Sequence, residues 1–202
     1  MRRWALVWAL VAAPASAGAA TVVVEPMRFG VEHLAPLHEA SGLDSRFAPQ
    51  AGAGLAAALP HGLQVAAEVG VASGSTSFGL LAGPHARQVR TDLALELRGP
   101  LPWRWRGWCM QGAAGAGQLR LGYHPDRVAL DTMGGAITVD LAPVHAWTRH
   151  VAAELLHSFG RNTIGMRCAW RFYALDVASP AGIRHEPARD FLASVMLRVQ
   201  PF

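Results

Sequence analysis

The side chains best suited to chemistry lie in one region: His145, His150 and His157, with Glu154 and Ser158 beside them. A serine, a histidine and an acid in mutual hydrogen-bond contact can form a hydrolytic site. Spacing sets the conditions. On a strand, His150, Glu154 and Ser158 fall on one face. Residues four apart on a strand are ~13 Å apart, so a triad needs partners from neighbouring strands. A metal site has the same requirement. The plainer reading is a polar face on which a histidine pairs with an acid. His150, Glu154, His157 and Ser158 are therefore catalytic candidates only with cross-strand help, and none is assigned as catalytic.

Other chemistries are excluded by composition. All 18 basic residues are arginine. Without lysine there is no Walker A loop, no Schiff-base enzyme and no Ser-x-x-Lys hydrolase. Gly52-x-Gly54-x-x-Ala57 and Gly112 to Gly117 are loosely dinucleotide-like. Neither stands between a strand and a helix, as that motif requires. Cys109 and Cys168 have no Cys or His at ligand spacing. They form one disulfide or remain two small apolar side chains. No metal and no cofactor is expected.

The elements that must position these residues alternate with a period of two. Leu63, Val65, Ala67, Val69 and Val71 oppose Gln64, Glu68 and Gly70. Val89, Thr91, Leu93, Leu95 and Leu97 oppose Arg90, Asp92, Glu96 and Arg98. Ile164, Met166, Cys168, Trp170 and Phe172 oppose Arg167 and Arg171, and Phe191 to Val199 opposes Ser194 and Arg198. Met27, Phe29 and Val31 oppose Arg28 and Glu32, and Leu119, Leu121 and Tyr123 oppose Gln118 and Arg120. Ile137 to Leu141 opposes Asp140, and Val151 to Leu155 opposes His150 and Glu154. Such alternation marks strands with one apolar and one polar side. Nine segments are clear, counting a weaker one at Gln50 to Leu59. Arg127 to Met133 is a candidate tenth. The expected external loops are His33 to Pro49, Ser73 to Ala86 and Asp176 to Arg189, with a tight turn at Pro60 to Gly62.

The polar faces carry both charges in near balance. Arg28, Arg90, Arg98, Arg120, Arg167, Arg171 and Arg198 accompany Glu32, Glu68, Asp92, Glu96, Asp140 and Glu154. A solvated face does not need such balance. A narrow barrel interior does, because buried charges must be paired. Arginine suits the task, because its planar fork binds carboxylates bidentately. These residues are the expected lumen charge network. Trp103, Trp105 and Trp108 cluster at a Pro-rich turn, and Trp147, Trp170 and Phe172 lie near other strand ends. They are the expected membrane-interface aromatics.

Residues 1–20 read as a secretory leader. Arg2 and Arg3 precede an apolar run from Trp4 to Ala13, and small-x-small cleavage sites follow at Ala15 to Ala19. The run is short of the ~20 residues a spanning helix needs. Its removal leaves 16 Arg against 14 acidic residues, with no basic run of the kind that binds nucleic acid.

With its leader, period-two strands, aromatic turns and terminal Phe202, the chain resembles the small outer-membrane β-barrel proteins of Gram-negative bacteria. The resemblance covers about Thr21 to Phe202. It implies an all-β fold: a closed antiparallel up-and-down membrane barrel of eight to ten strands, forming a single domain from 21 to 202. It also implies outer-membrane lipid and the barrel-assembly machinery as partners. Here Phe202 is one position out of phase with the apolar face of Phe191 to Val199. His157-Ser158-Phe159 resembles the His-x-Ser element of lipid A deacylases, but the two residues are adjacent here and point to opposite faces. The expected role is envelope structure or surface interaction through the loops. The alternatives are a lipid-modifying hydrolase and a soluble periplasmic β-protein that binds a small ligand.

Overall fold

The computed structural model describes residues 21–33, 47–77, 85–132, 135–140, 143–179 and 182–200. Residues 1–20, expected as a leader, the segment 34–46 and Phe202 lie outside them. The strands are β1 (Val22–His33), β2 (Phe47–Ala58), β3 (Gln64–Ser77), β4 (His85–Trp105), β5 (Trp108–His124), β6 (Arg127–Thr132), β7 (Gly135–Asp140), β8 (Val144–Phe159), β9 (Asn162–Ser179) and β10 (Gly182–Val199). Eight of them close a barrel in the order β1-β10-β9-β8-β5-β4-β3-β2, and every pairing is antiparallel. β6 and β7 pair only with each other, as a hairpin inserted between β5 and β8.

Closure satisfies the backbone of every barrel strand without an edge. Followed round the ladder from Val22, the register passes through Ala57, Val65, Leu97, Ala114, Val151, Trp170 and Phe191 and returns to β1 at His33. That climb of about ten residues, across eight strands ~4.8 Å apart, tilts the strands about 40° from the barrel axis.

The two ends of the barrel differ. At one end the connections are short. Arg106 and Gly107, both with positive φ (46° and 84°), turn β4 into β5. Two central residues of that kind make the type I′ turn that suits a right-twisted hairpin. Between β8 and β9 only Gly160, with φ 61°, has a positive φ, the pattern of a type II′ turn. Pro60–Gly62 forms a 3-10 turn between β2 and β3, as the sequence suggests. The β6–β7 hairpin rises from the other end.

Two bulges disturb the alternation. Opposite β10, Glu25 and Pro26 together face Arg198. Proline cannot donate to the ladder, so its place in a strand is a bulge or an edge. The second bulge lies between Pro100 and Arg104, where β4 pairs with β5.

Three expectations need correction. Of the ten candidate segments, Arg127 to Met133 and Ile137 to Leu141 do not enter the barrel, because they pair with each other. Much of Asp176 to Arg189 is strand, not loop, because β9 and β10 stay paired up to Ser179 and Gly182. Ser73 to Ser77 and His85 to Ala86 likewise extend β3 and β4. On β5, Leu119 and Leu121 face inward, packed beside Tyr173. Between Gln111 and Leu119 its inner face consists of small residues, Ala113, Gly115 and Gly117, so hydrophobicity does not reveal the phase of this strand.

On the other barrel strands the apolar face points outward. Val69, Val71, Leu97, Met166 and Val195 are among the large hydrophobic side chains left exposed. Soluble monomers rarely expose an apolar surface of such extent. The interior is the polar side. This inversion is that of a membrane-type barrel.

Candidate functional site

The lumen holds two linked tiers of charge. In the lower tier Arg167 is central. Its Nη1 donates to Glu154 Oε1 at 2.6 Å and to Glu96 Oε2 at 3.0 Å, and its Nη2 donates to Glu96 Oε1. Arg198 forks onto both oxygens of Glu154, at 2.9 and 2.8 Å. It also donates from Nε to Glu25 at 3.1 Å and from Nη1 to Gln111 at 3.0 Å. Arg98 binds Glu68 and Glu96, and Arg28 donates to Glu68 Oε2 at 2.7 Å.

In the upper tier Arg90 binds Glu32 at 2.7 Å and also Asp190. Arg171 bridges Glu32 at 2.8 Å and Asp92 at 3.1 Å. The Tyr173 hydroxyl donates to Asp190 at 3.1 Å, and the Arg90 guanidinium lies 5.5 Å from the Tyr173 ring centre. His150 stands between the tiers, with Nε2 2.6 Å from Glu96 Oε1.

The strands position these groups by phase. Inward residues recur at every second place, so Arg90, Asp92, Glu96 and Arg98 all project from β4. The facing wall makes room for them. Gly115 lies in register with His150 and with Glu96. A Cβ on Gly115 would stand 2.2 Å from the Leu95 carbonyl oxygen and 2.7 Å from the His150 ring.

Burial decides the energetics. Arg28, Arg90, Arg98, Arg167 and Arg198 and their carboxylates are buried, and Arg171 is nearly so. Desolvating an ion costs several kcal/mol, which is offset only by close, multiple hydrogen bonds. The multiplicity of partners around Arg167 and Arg198 meets that condition. The tiers leave a cavity of about 10 Å³, lined by Glu32, Asp92, Glu96, His150, Arg167 and Arg171 among others. That is room for about one water. At this level the described side chains fill the interior.

The structure brings together eleven of the expected network residues: Arg28, Glu32, Glu68, Arg90, Asp92, Glu96, Arg98, Glu154, Arg167, Arg171 and Arg198. Two do not join them. Arg120 is exposed on the outer wall, because β5 turns Leu119 and Leu121 inward. Asp140 lies on the inserted hairpin, where it pairs with Arg127 at 2.9 Å and both are more than 70% exposed.

Glu25, Asp190 and Gln111 belong to the network although no sequence argument singled them out. The bulge turns Glu25 inward against simple alternation, and Pro26 is its signal. Asp190 is in phase with Leu192 and Ser194, but it borders a segment expected to be loop.

The catalytic candidates are dispersed. Glu154 and His150 are each engaged in the lumen. The Ser158 hydroxyl meets the Thr163 hydroxyl at 3.0 Å near the short-turn end. His157 points the other way, with its ring 5.0 Å from Trp108. No Ser–His–acid group forms among them. His145 is exposed outside, in register with Arg120.

The aromatic residues occupy two levels. Trp103 and Trp105 are exposed near the short turns, with Trp108 partly so. Trp170, Phe172 and Trp147, the last 73% exposed, lie toward the other end. From His157, beside Trp108, to Trp147 is ten residues of β8. At ~3.3 Å per residue and a tilt of about 40° this gives roughly 25 Å, the height of a lipid-facing band.

No protein-family model matches the chain, and no curated protein sequence matches it. Solved structures do. The crystal structure of Neisserial surface protein A aligns with a TM-score of 0.56 at 10% identity, covering 89% of this chain and 96% of that one. Outer membrane protein OprG from Pseudomonas aeruginosa aligns with a TM-score of 0.54 at 7% identity, covering 89% and 94%. The fold is that of the eight-stranded outer-membrane barrels. At such identities the likeness is one of fold and carries no residue-level correspondence.

Proposed function

We propose that this chain is an exported outer-membrane barrel, closed to solutes, that acts in envelope structure or surface interaction through the end carrying the β6–β7 hairpin. The observation that carries the reading is the inversion of polarity. The wall is apolar outside, and the lumen is filled by paired charges that leave a cavity of about 10 Å³. A soluble ligand-binding barrel has the opposite plan, with an open apolar interior and a wet exterior. In bacterial barrels the short turns face the periplasm and the long connections face outward. That orientation places Arg106–Gly107 and Gly160 inside and the hairpin outside. The leader-like residues 1–20 support export, and the solved neighbours, named as surface and outer-membrane proteins, support the address.

The test is fractionation followed by gel mobility. The expected result is a protein in the washed outer-membrane fraction whose mobility in SDS changes on boiling. In planar bilayers the purified barrel should give no stable channels. A soluble periplasmic protein without a heat-dependent shift would overturn the location, and large steady conductance would overturn the closed lumen.

A further inference from the structure

The outer wall carries one conspicuous departure from its apolar character. Arg120 on β5, Arg149 on β8 and Arg189 on β10 all alternate outward and are exposed. The registers join them into an arc. Arg120 faces His145, two residues from Trp147 and four from Arg149. Arg149 faces Phe172 on β9, and Phe172 faces Arg189. Arg149 and Arg189 are thus two strand spacings apart, about 10 Å, with an aromatic ring between them.

Among the described residues none of these three arginines has an ion-pair partner. Among the described side chains, no outward position of β5, β8, β9 or β10 carries a carboxylate, and Asp190, next to Arg189, faces the lumen. The arc is also one-sided. Counting along the tilted strands, the outward positions at this level on β1 to β4 are Val31, Pro49, Val71 and Thr91, all exposed and uncharged.

Its height gives it meaning. Immediately below Arg149 on the same face comes Val151, below Phe172 comes Trp170, and below Arg189 comes Phe191. The arc therefore stands at the edge of the apolar band away from the short turns, with Arg149 about 5 Å below the level of Trp147. Charges at the bilayer midplane cost ~2–4 kcal/mol each, falling to about zero at the interface. Three within four neighbouring strands, β5, β8, β9 and β10, suit headgroup depth, where arginine binds phosphate bidentately. A soluble polyanion cannot reach this wall once the barrel is embedded.

We infer that the arc of Arg120, Arg149 and Arg189, with His145, Trp147 and Phe172, is a docking site for an outer-leaflet glycolipid whose sugar headgroup carries two phosphates. The guanidinium groups bind the phosphates, the aromatic rings lie against the sugars, and the wall below receives the acyl chains. This rests on the orientation proposed above.

The experiment uses the full barrel in a nonionic maltoside detergent, with bound lipid counted by native mass spectrometry during titration. The probes are bisphosphorylated lipid A, its monophosphorylated form and phosphatidylglycerol. The wild type should prefer the bisphosphorylated lipid. The double variant Arg149→Gln/Arg189→Gln should bind it about tenfold more weakly or worse, since two charge-assisted contacts are lost. Arg104→Gln/Arg106→Gln, at the opposite end, should bind like the wild type. Each variant is checked first for the heat-dependent gel shift. Equal binding by a folded arc variant and the wild type would overturn the site. Equal binding of phosphatidylglycerol by the wild type, or displacement by millimolar inorganic phosphate, would overturn the glycolipid as its ligand. A wild type without the gel shift would overturn the membrane-barrel reading itself, and the arc with it.

Discussion

At the residue scale, the interior works because its central charges each have more than one partner, whereas Asp92, at the margin, pairs with Arg171. Glu154 takes bonds from both Arg167 and Arg198. Glu154→Gln keeps the shape and removes the charge that compensates two buried guanidinium groups. Breaking one side of a buried pair costs about 3–5 kcal/mol. The expected outcome is a lower temperature for the folded-to-unfolded gel shift and an earlier urea midpoint. An unchanged midpoint would mean that Glu154 is dispensable to the network. Gly115 offers a steric counterpart. Its neighbours leave no space for a methyl group, because one of them is the Leu95 carbonyl oxygen. Gly115→Ala should displace β5 or the His150 ring and destabilise the barrel by about 1–3 kcal/mol, as overpacking does. Urea titration of the folded fraction would read the shift.

At the element scale, the barrel and the inserted hairpin are separable. β5 pairs directly with β8 from Trp108 to Leu121, and β6 and β7 take no part in that ladder. The hairpin's Arg127–Asp140 pair is exposed, and such pairs contribute little. Replacing residues 126–141 by a short Gly-Asn turn should leave the gel shift and the urea midpoint within about 1 kcal/mol of the wild type. A barrel that no longer folds would show that the hairpin guides the pairing of β5 with β8. If the hairpin is the part that meets a partner, surface binding should vanish in the same variant.

At the scale of the whole molecule, closure sorts side chains into two compartments. Cys168 is exposed on the outer wall, whereas Cys109 shares the inward phase of Gln111. β8 lies between their strands. The two Cα atoms are therefore at least about 9 Å apart, beyond the ~7 Å limit for a disulfide. Oxidised and reduced samples should run alike, with two free thiols by mass after denaturation and alkylation. A mass lower by two hydrogen atoms, with thiols unreactive to alkylation, would contradict the two-compartment arrangement. The same closure makes the network collective, since charges from β1, β3, β4, β8, β9 and β10 meet in one lumen.

The sequence by itself determined the architecture's principle. Period-two alternation fixed strands, and the balance of arginine with carboxylate on the polar faces fixed a buried polar side. Both are local properties, readable wherever apolar and charged residues alternate strictly, as in β4 and β9. The tertiary structure decided what alternation cannot. β5 is legible only by its neighbours. From Ala113 to Gly117 its inner face is Ala and Gly, so Leu119 and Leu121 mimic an outer face, and Arg120 is turned to the wall by its pairing with β4 and β8. Glu25 enters the lumen, in phase with Val23, because a bulge at Pro26 shifts the phase of β1 by one residue. Asp140 is excluded because two short strands satisfy each other's hydrogen bonds instead of joining the sheet. In each case the deciding quantity is a pairing between residues distant in the chain, and such pairing exists only once the barrel has closed.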